Sequence, residues 1–501
     1  QVGCRRGRPW ARRRIAPPIG AHLAGWLLLG GHAAPRLAGR ARHLVVRHVA
    51  QQICKITMAS TLQLAAALPF GFGAATPGFA DGRDIHVAFS SSCNRFQHWQ
   101  TEVVLHSALR AGHRGPITRI VVGCDESEVT GGGRREVTTH VAGALDESVH
   151  DSLWRRSTHP NATLHLAPAT PLAKRFPWFN KAWGLSHWAR SGALRAATIA
   201  VIDPDQFFLA PLTQGGALLR AAWQLDGGWR AEDATDTARP GLGIAQKYGI
   251  GAGWLQKFDR QRICGAGSPC TALTAADALK HYSIGTPYVL HAADFSRVMA
   301  QWWEFMPAAY EQVQRDIQLD MYAYSMAAAH LGVKHVTMRH HMISSPLAWD
   351  EGWKEVDALR SVPCREAGTH GAGGGPWATP TFTHACQTYT ALSTGKQLSE
   401  PHDGAQLWLF HKGHVPPHML ECGQPLLQPP PDGLIDAQTN TVRRRRAFMV
   451  CALHRQVNEA AMAYKRKYCA PEERNLRECI RLTKGGVGDA EFPGRYARRV
   501  C

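Results

Sequence analysis

No C-x-x-C pair occurs among the 13 cysteines of this 501-residue chain. That excludes zinc ribbons and thioredoxin-type motifs, while scattered single cysteines suit disulfides in an oxidising compartment. There is no H-E-x-x-H and no G-x-S-x-G, so zinc-peptidase and α/β-hydrolase chemistry lack their motifs. The glycine-rich stretch 239–271 holds neither G-x-G-x-x-G nor a Walker A loop, which removes the usual phosphate cradles. Past Ala80 no 18 apolar residues run together, so no later membrane span is expected. Acids are absent from residues 1–80, which carry 11 Lys/Arg, and residues 443–501 carry a net +9. The total of +18 therefore leaves −2 for residues 81–442. A body of that charge is not a polyanion-binding surface, and no nucleic-acid partner is expected.

The first methionine is Met58. Residues 1–57, rich in Arg, Gly and Ala, read as a presequence or a gene-model artefact. Residues 58–80 read as a signal peptide cleaved near Ala80, or as a signal anchor, which would be the one membrane contact. Gln63, several glycines and two prolines make that stretch a poor span. Asn161-Ala-Thr163 is a glycosylation sequon and agrees with a luminal compartment. Residues 81–432 read as one domain with a Gly/Pro/Thr-rich insertion at 361–405, and 433–501 as a basic helical tail.

Within the domain, apolar and β-branched runs predict strands at 84–91, 117–124, 163–167, 198–202, 284–291, 335–339 and 406–411. Amphipathic patterns predict helices at 100–110, 180–190, 294–314 (capped by Asp294) and 319–331, with 447–467 in the tail. Alternating strands and helices predict an α/β fold with a central, mostly parallel sheet flanked by helices, and ligands at the carboxyl ends of its strands. Cys93 and Cys124 follow neighbouring strand ends and are expected to pair, as are Cys469 and Cys479 across a short tail loop.

The chemistry centres on Thr198-Ile-Ala-Val-Ile-Asp-Pro-Asp-Gln-Phe-Phe-Leu-Ala-Pro211. A buried strand ends there in Asp203-Pro204-Asp205, and Pro204 keeps Asp203 out of a helix. Near-extended residues at i and i+2 point the same way, so the two carboxylates converge. Side by side they repel, and a hard divalent cation relieves that repulsion. On this reading Asp205→Asn relieves repulsion and leaves the fold intact. His411 ends another apolar strand. Two carboxylates and one imidazole at neighbouring strand ends suit Mn²⁺ or Mg²⁺ and leave positions for a diphosphate. His411, His414 and His418 also form a spaced trio, without the Cys or Glu set of a zinc hydrolase.

Several blocks then fall in one order: Phe89-Ser-Ser-Ser-Cys93 with Trp99-Gln100, Pro116-Ile-Thr-Arg119, and Phe179-Asn-Lys-Ala-Trp183 with His187-Trp188. They continue with Val201-Ile-Asp-Pro-Asp-Gln206 and Pro211-Leu212, Asp320-Met-Tyr-Ala-Tyr324, and Phe410-His-Lys-Gly413. Over residues 84–425 the chain resembles the plant and algal hydroxyproline O-arabinosyltransferases and peptidyl serine α-galactosyltransferases. It departs at Gln318–Asp320, where Trp and Glu are usual, and in the 361–405 insertion. The resemblance implies a GT-A-like fold, a UDP-sugar donor (arabinofuranose or galactose), a hydroxyproline- or serine-rich polypeptide acceptor, retention of configuration and an ER/Golgi location. It makes Asp203 and Asp205 the D-x-D acids, His411 the late histidine on the metal, and Asn180 and Lys181 donor-side residues. Asp320 is the catalytic candidate, facing the acceptor or the developing oxocarbenium, or else an ordinary helix acid. The competing class is a degenerate family member that binds a glycopeptide without turnover.

Overall fold

The computed structural model describes residues 85–124, 156–213, 237–314, 316–359, 361–369, 380–394, 406–482 and 498–500. The expectations for 1–57 and 58–80 lie outside the described residues. The central sheet has seven strands: β1 (His86–Ser92), β2 (Ile117–Val122), β3 (Ala162–Ala167), β4 (Thr198–Val201), β6 (Leu242–Lys247), β7 (Ile284–His291) and β8 (Lys334–Met338), in the order β3-β2-β1-β4-β7-β6-β8. β7 alone runs against the others. All six residues of β2 and of β3 are buried, the pattern of parallel strands covered on both faces. The expected α/β architecture is therefore the one observed. β6 escaped the sequence reading because Gly241 and Gly243 disguise a strand of only mild hydrophobicity.

Helices cover both faces: α1 (Arg95–Arg110), α2 (Phe179–Arg190), α3 (Ala292–Val313) and α4 (Leu319–His330). α1 starts earlier than its apolar pattern because Asn94 accepts from the Gln97 N–H at 2.8 Å and caps it. α3 is capped by His291 rather than by Asp294. Asp294 instead accepts from the Gly241 N–H at 2.7 Å.

A second, three-stranded sheet has the order β5 (Gln206–Phe208), β10 (Phe382–His384), β9 (Met342–Ile343). β10 is antiparallel to β5 and parallel to β9. The 361–405 segment is thus a structural contributor and not an insertion apart from the fold, since it supplies β10 and also β11 (Tyr389–Leu392), which pairs with β12 (Leu407–Phe410). The helix Thr441–Tyr468, here α6, follows the short α5 (Trp353–Asp357). It is a core element rather than a solvated tail. Gln456 on it donates to the Phe208 carbonyl at 3.1 Å and accepts from Thr383 Oγ1 at 2.8 Å, clamping the second sheet.

Cys93 pairs with Cys124 as expected. Cys469 pairs with Cys422, not with Cys479. It caps the C-terminus of α6, where Lys465 and Asn475 hold the Cys422–Gln424 backbone alongside. Cys364 pairs with Cys451 of α6, and Cys264 with Cys270. No described helix is long and apolar enough to cross a membrane.

Candidate active site

Asp203 and Asp205 leave the carboxyl end of β4 and enter β5, at the junction of the two sheets. The Asp203 N–H is held by Gln206 Oε1 at 2.9 Å, and Thr286 Oγ1 donates to Asp203 Oδ2 at 2.8 Å. Gln206 also donates to the Thr286 carbonyl at 3.1 Å, so one buried side chain ties the turn to β7. Because β10 runs antiparallel to β5, its last residue, His384, lies across from Gln206. His384 Nε2 is 3.3 Å from Asp205 Oδ1 and 4.0 Å from Asp203 Oδ2. Asp203, Asp205 and His384 can each offer a ligand atom within 4.8 Å of the others. That is the sole such cluster of His, Cys, Asp or Glu among the described residues.

Lysines face the acids from two sides. Lys181 of α2 bridges Asp203 Oδ1 at 2.7 Å and Asp320 Oδ2 at 2.9 Å. Lys412, just past β12, pairs with Asp205 Oδ2. Burial alone would raise the pKa of each aspartate, but Lys181 and His384 outweigh it at Asp203, and Lys412 and His384 at Asp205. Both carboxyls end below their ordinary range. Burial likewise works against charged His384 and charged Lys181, yet the neighbouring aspartates raise both above their usual values. Asp205 is therefore a buried, counter-charged anion. The expectation that Asp205→Asn relieves repulsion and leaves the fold intact meets this geometry, in which the change takes from Lys412 and His384 a carboxylate that both face.

The structure brings together Lys181, Asp203, Asp205 and Asp320 of the residues expected from sequence. Asp320 sits in the first turn of α4 and is buried. Asn180 lies one residue before Lys181, and its Nδ2 donates to Ser92 Oγ at 3.1 Å at the end of β1. Its Oδ1 is buried with no hydrogen-bond partner, an acceptor left open beside the cluster. His411 is not brought into the cluster. Its ring lies against His414, centroids 4.9 Å apart, and its Nδ1 is buried without a partner. Burial, with smaller help from His414 and Lys412, holds its pKa down to about 4. The neighbouring Lys412 is the residue that the end of β12 delivers to Asp205. Sequence reasoning missed His384, Lys412 and Tyr248, whose hydroxyl lies 3.0 Å from His384 Nδ1. The oxygen–oxygen–nitrogen donor set of Asp203, Asp205 and His384 fits a divalent cation such as Mn²⁺ or Mg²⁺.

No family model matches the chain. It is similar to the peptidyl serine alpha-galactosyltransferase of Arabidopsis thaliana, with 24% identity over 129 residues. That match covers 26% of this chain and 14% of the relative, so the chain spans about a seventh of the relative's length. This supports the family resemblance read from the motif blocks. Among solved structures it is similar to the bifunctional glycosyltransferase WbbM in its apo form, at 11% identity and a TM-score of 0.27, over 55% of this chain and 42% of that one. It is also similar to the galactosyltransferase LgtC in complex with donor and acceptor sugar analogues, at 11% identity and a TM-score of 0.27, over 52% and 76% respectively.

Proposed function

We propose that this chain is a glycosyltransferase of GT-A-like fold that moves a sugar from a UDP-sugar to hydroxyproline or serine of a hydroxyproline-rich polypeptide. The observation that carries the reading is the convergence of Asp203, Asp205 and His384 at the carboxyl end of β4, the place where open α/β sheets bind their ligands. Asp203, Asp205 and His384 would hold the cation, Mn²⁺ or Mg²⁺. When bound, the cation supplies charge to neutralise a leaving diphosphate.

The chain's own residues do the rest. Lys181 and Lys412 bring two ammonium groups to the same acids, and on donor binding they face the diphosphate. Asn180 offers its open Oδ1 to a donor hydroxyl. Asp320, held by Lys181 at 2.9 Å, lies beside the reacting sugar and stabilises positive charge that develops there. Retention of configuration follows from the family resemblance. A location in the ER/Golgi lumen is supported by the four disulfides among the described residues and by the exposed Asn161 of the sequon.

The test is UDP release by the purified full chain, with UDP-galactose and UDP-arabinofuranose side by side, Mn²⁺ present or chelated, and a hydroxyproline/serine peptide as acceptor. The proposal expects metal-dependent UDP release and a peptide heavier by one sugar. No turnover of either donor in Mn²⁺ overturns it.

A further inference from the structure

The loop that leaves β9 carries a feature the transfer chemistry does not use. Leu347 and Trp349 are 70% and 72% exposed, the most exposed large apolar side chains among the described residues. They are not on a slack segment. Arg445 donates to the carbonyls of Pro346 at 3.1 Å and Ala348 at 3.2 Å, on either side of Leu347, and is itself anchored to Asp357. Glu351 gathers Ser344 Oγ at 2.6 Å, the Ser345 N–H at 3.0 Å and Trp353 Nε1 at 3.0 Å. Gln246 holds the Asp350 carbonyl at 2.9 Å. The Arg339 guanidinium lies 4.7 Å from the Trp349 ring centroid. A backbone pinned this firmly holds two apolar side chains in water at a standing cost, the mark of a surface prepared for a partner.

The sheet places this loop beside the acids. β5 begins just after Asp205; β10, antiparallel to it, ends at His384; β9, parallel to β10, ends at Ile343 opposite Thr383. All three strand ends are at one end of the same small sheet, so Ser344–Glu351 emerges at the end that carries Asp205 and His384. The side chains of the cluster itself are charged. A proline-rich chain presents pyrrolidine faces and few donors, and it is bound by aromatic and aliphatic surface at low entropic cost.

We propose that Leu347 and Trp349 form the docking platform for the acceptor, an extended proline-rich polypeptide. This rests on the polypeptide-acceptor reading above. The experiment uses the full chain and a fluorescently labelled hydroxyproline/proline/serine peptide. Anisotropy gives Kd, transfer gives KM and kcat separately, and light scattering gives the mass. Trp349→Ala and Leu347→Ala are compared with Leu279→Ala, which removes an exposed leucine outside the loop. Trp349→Ala should raise Kd and acceptor KM about tenfold or more, as for an anchoring aromatic, with Leu347→Ala in the same direction and Leu279→Ala at the wild-type value. Unchanged peptide Kd in Trp349→Ala overturns the proposal. So does a wild-type dimer that Trp349→Ala turns into a monomer, since a second copy then covers the loop. If the wild type releases no UDP, the transferase reading fails, and the anisotropy comparison still decides the platform.

Discussion

The Tyr248 hydroxyl lies 3.0 Å from Nδ1 of His384, on the side of the ring away from the aspartates. The same hydroxyl donates to Met342 Sδ at 3.4 Å. With its proton given to sulfur, Tyr248 accepts from Nδ1–H, so Nε2 is the nitrogen that faces Asp205 and Asp203 and the one that would exchange its proton for a cation. The group hydrogen-bonded to the other ring nitrogen of a ligating histidine usually sets its tautomer in this way.

Tyr248→Phe should therefore weaken Mn²⁺ binding by about 10- to 100-fold. Titration calorimetry with Mn²⁺ checks it, and wild-type affinity in the variant would show that His384 is oriented without the tyrosine.

Asp205→Asn should abolish metal-dependent transfer, by roughly a thousandfold for a loss of several kcal/mol of charge stabilisation. It should also destabilise the metal-free protein, by about 1–3 kcal/mol, because buried His384 and half-buried Lys412 each lose a carboxylate partner. Urea unfolding in chelator measures the second effect. A variant as stable as the wild type would mean that Lys412 and His384 find water instead.

Glu102 on α1 is a buried carboxyl outside the site. It accepts from the Thr158 N–H at 2.7 Å. Burial pushes its pKa up to about 7, against the pull of Thr158 and Arg119. A folded pKa above the unfolded one contributes stability that is complete below about 4.5 and is lost as pH rises through about 7. The shift corresponds to about 3 kcal/mol. Glu102→Gln should remove this slope, so its melting temperature should gain on the wild type between pH 5 and pH 8, roughly the window set by the two pKa values. Parallel melting curves across that window would count against a neutral, buried Glu102.

Non-reducing peptide mapping should recover Cys93–Cys124, Cys264–Cys270, Cys364–Cys451 and Cys422–Cys469. Cys451→Ser should cost roughly 2–4 kcal/mol, since Cys364–Cys451 closes a loop of 87 residues. A Cys469–Cys479 peptide would contradict the packing of α6 described above.

The sheet was legible where strands were long and apolar. β1, β2, β4 and β7 stand within two residues of their expected bounds, because buried β-branched runs leave few alternatives. Asp203, Asp205 and Lys181 were legible because strand-end geometry, or the motif around them, placed them. His384 was not. β10 is three residues long, too short for any periodicity, and it lies in a segment whose Gly, Pro and Thr content reads as loop. Only the Phe-Thr-His run after Pro380 hinted at a strand. The two histidines also look alike in sequence: each ends a short aromatic-rich strand. What separates them is pairing. β10 is antiparallel to β5 and so returns to Asp205, whereas β12 pairs with β11 and sends Lys412 there.

Asp203, Asp205 and His384 together would hold the cation. Free Mn²⁺, counted by electron paramagnetic resonance during titration of wild type, His384→Ala and His411→Ala, tests this assignment most directly. His384→Ala should lose about a hundredfold or more in affinity, at least the loss that follows when a ligand's own hydrogen-bond partner is removed, while His411→Ala stays near the wild type. Loss in His411→Ala with wild-type binding in His384→Ala would contradict it.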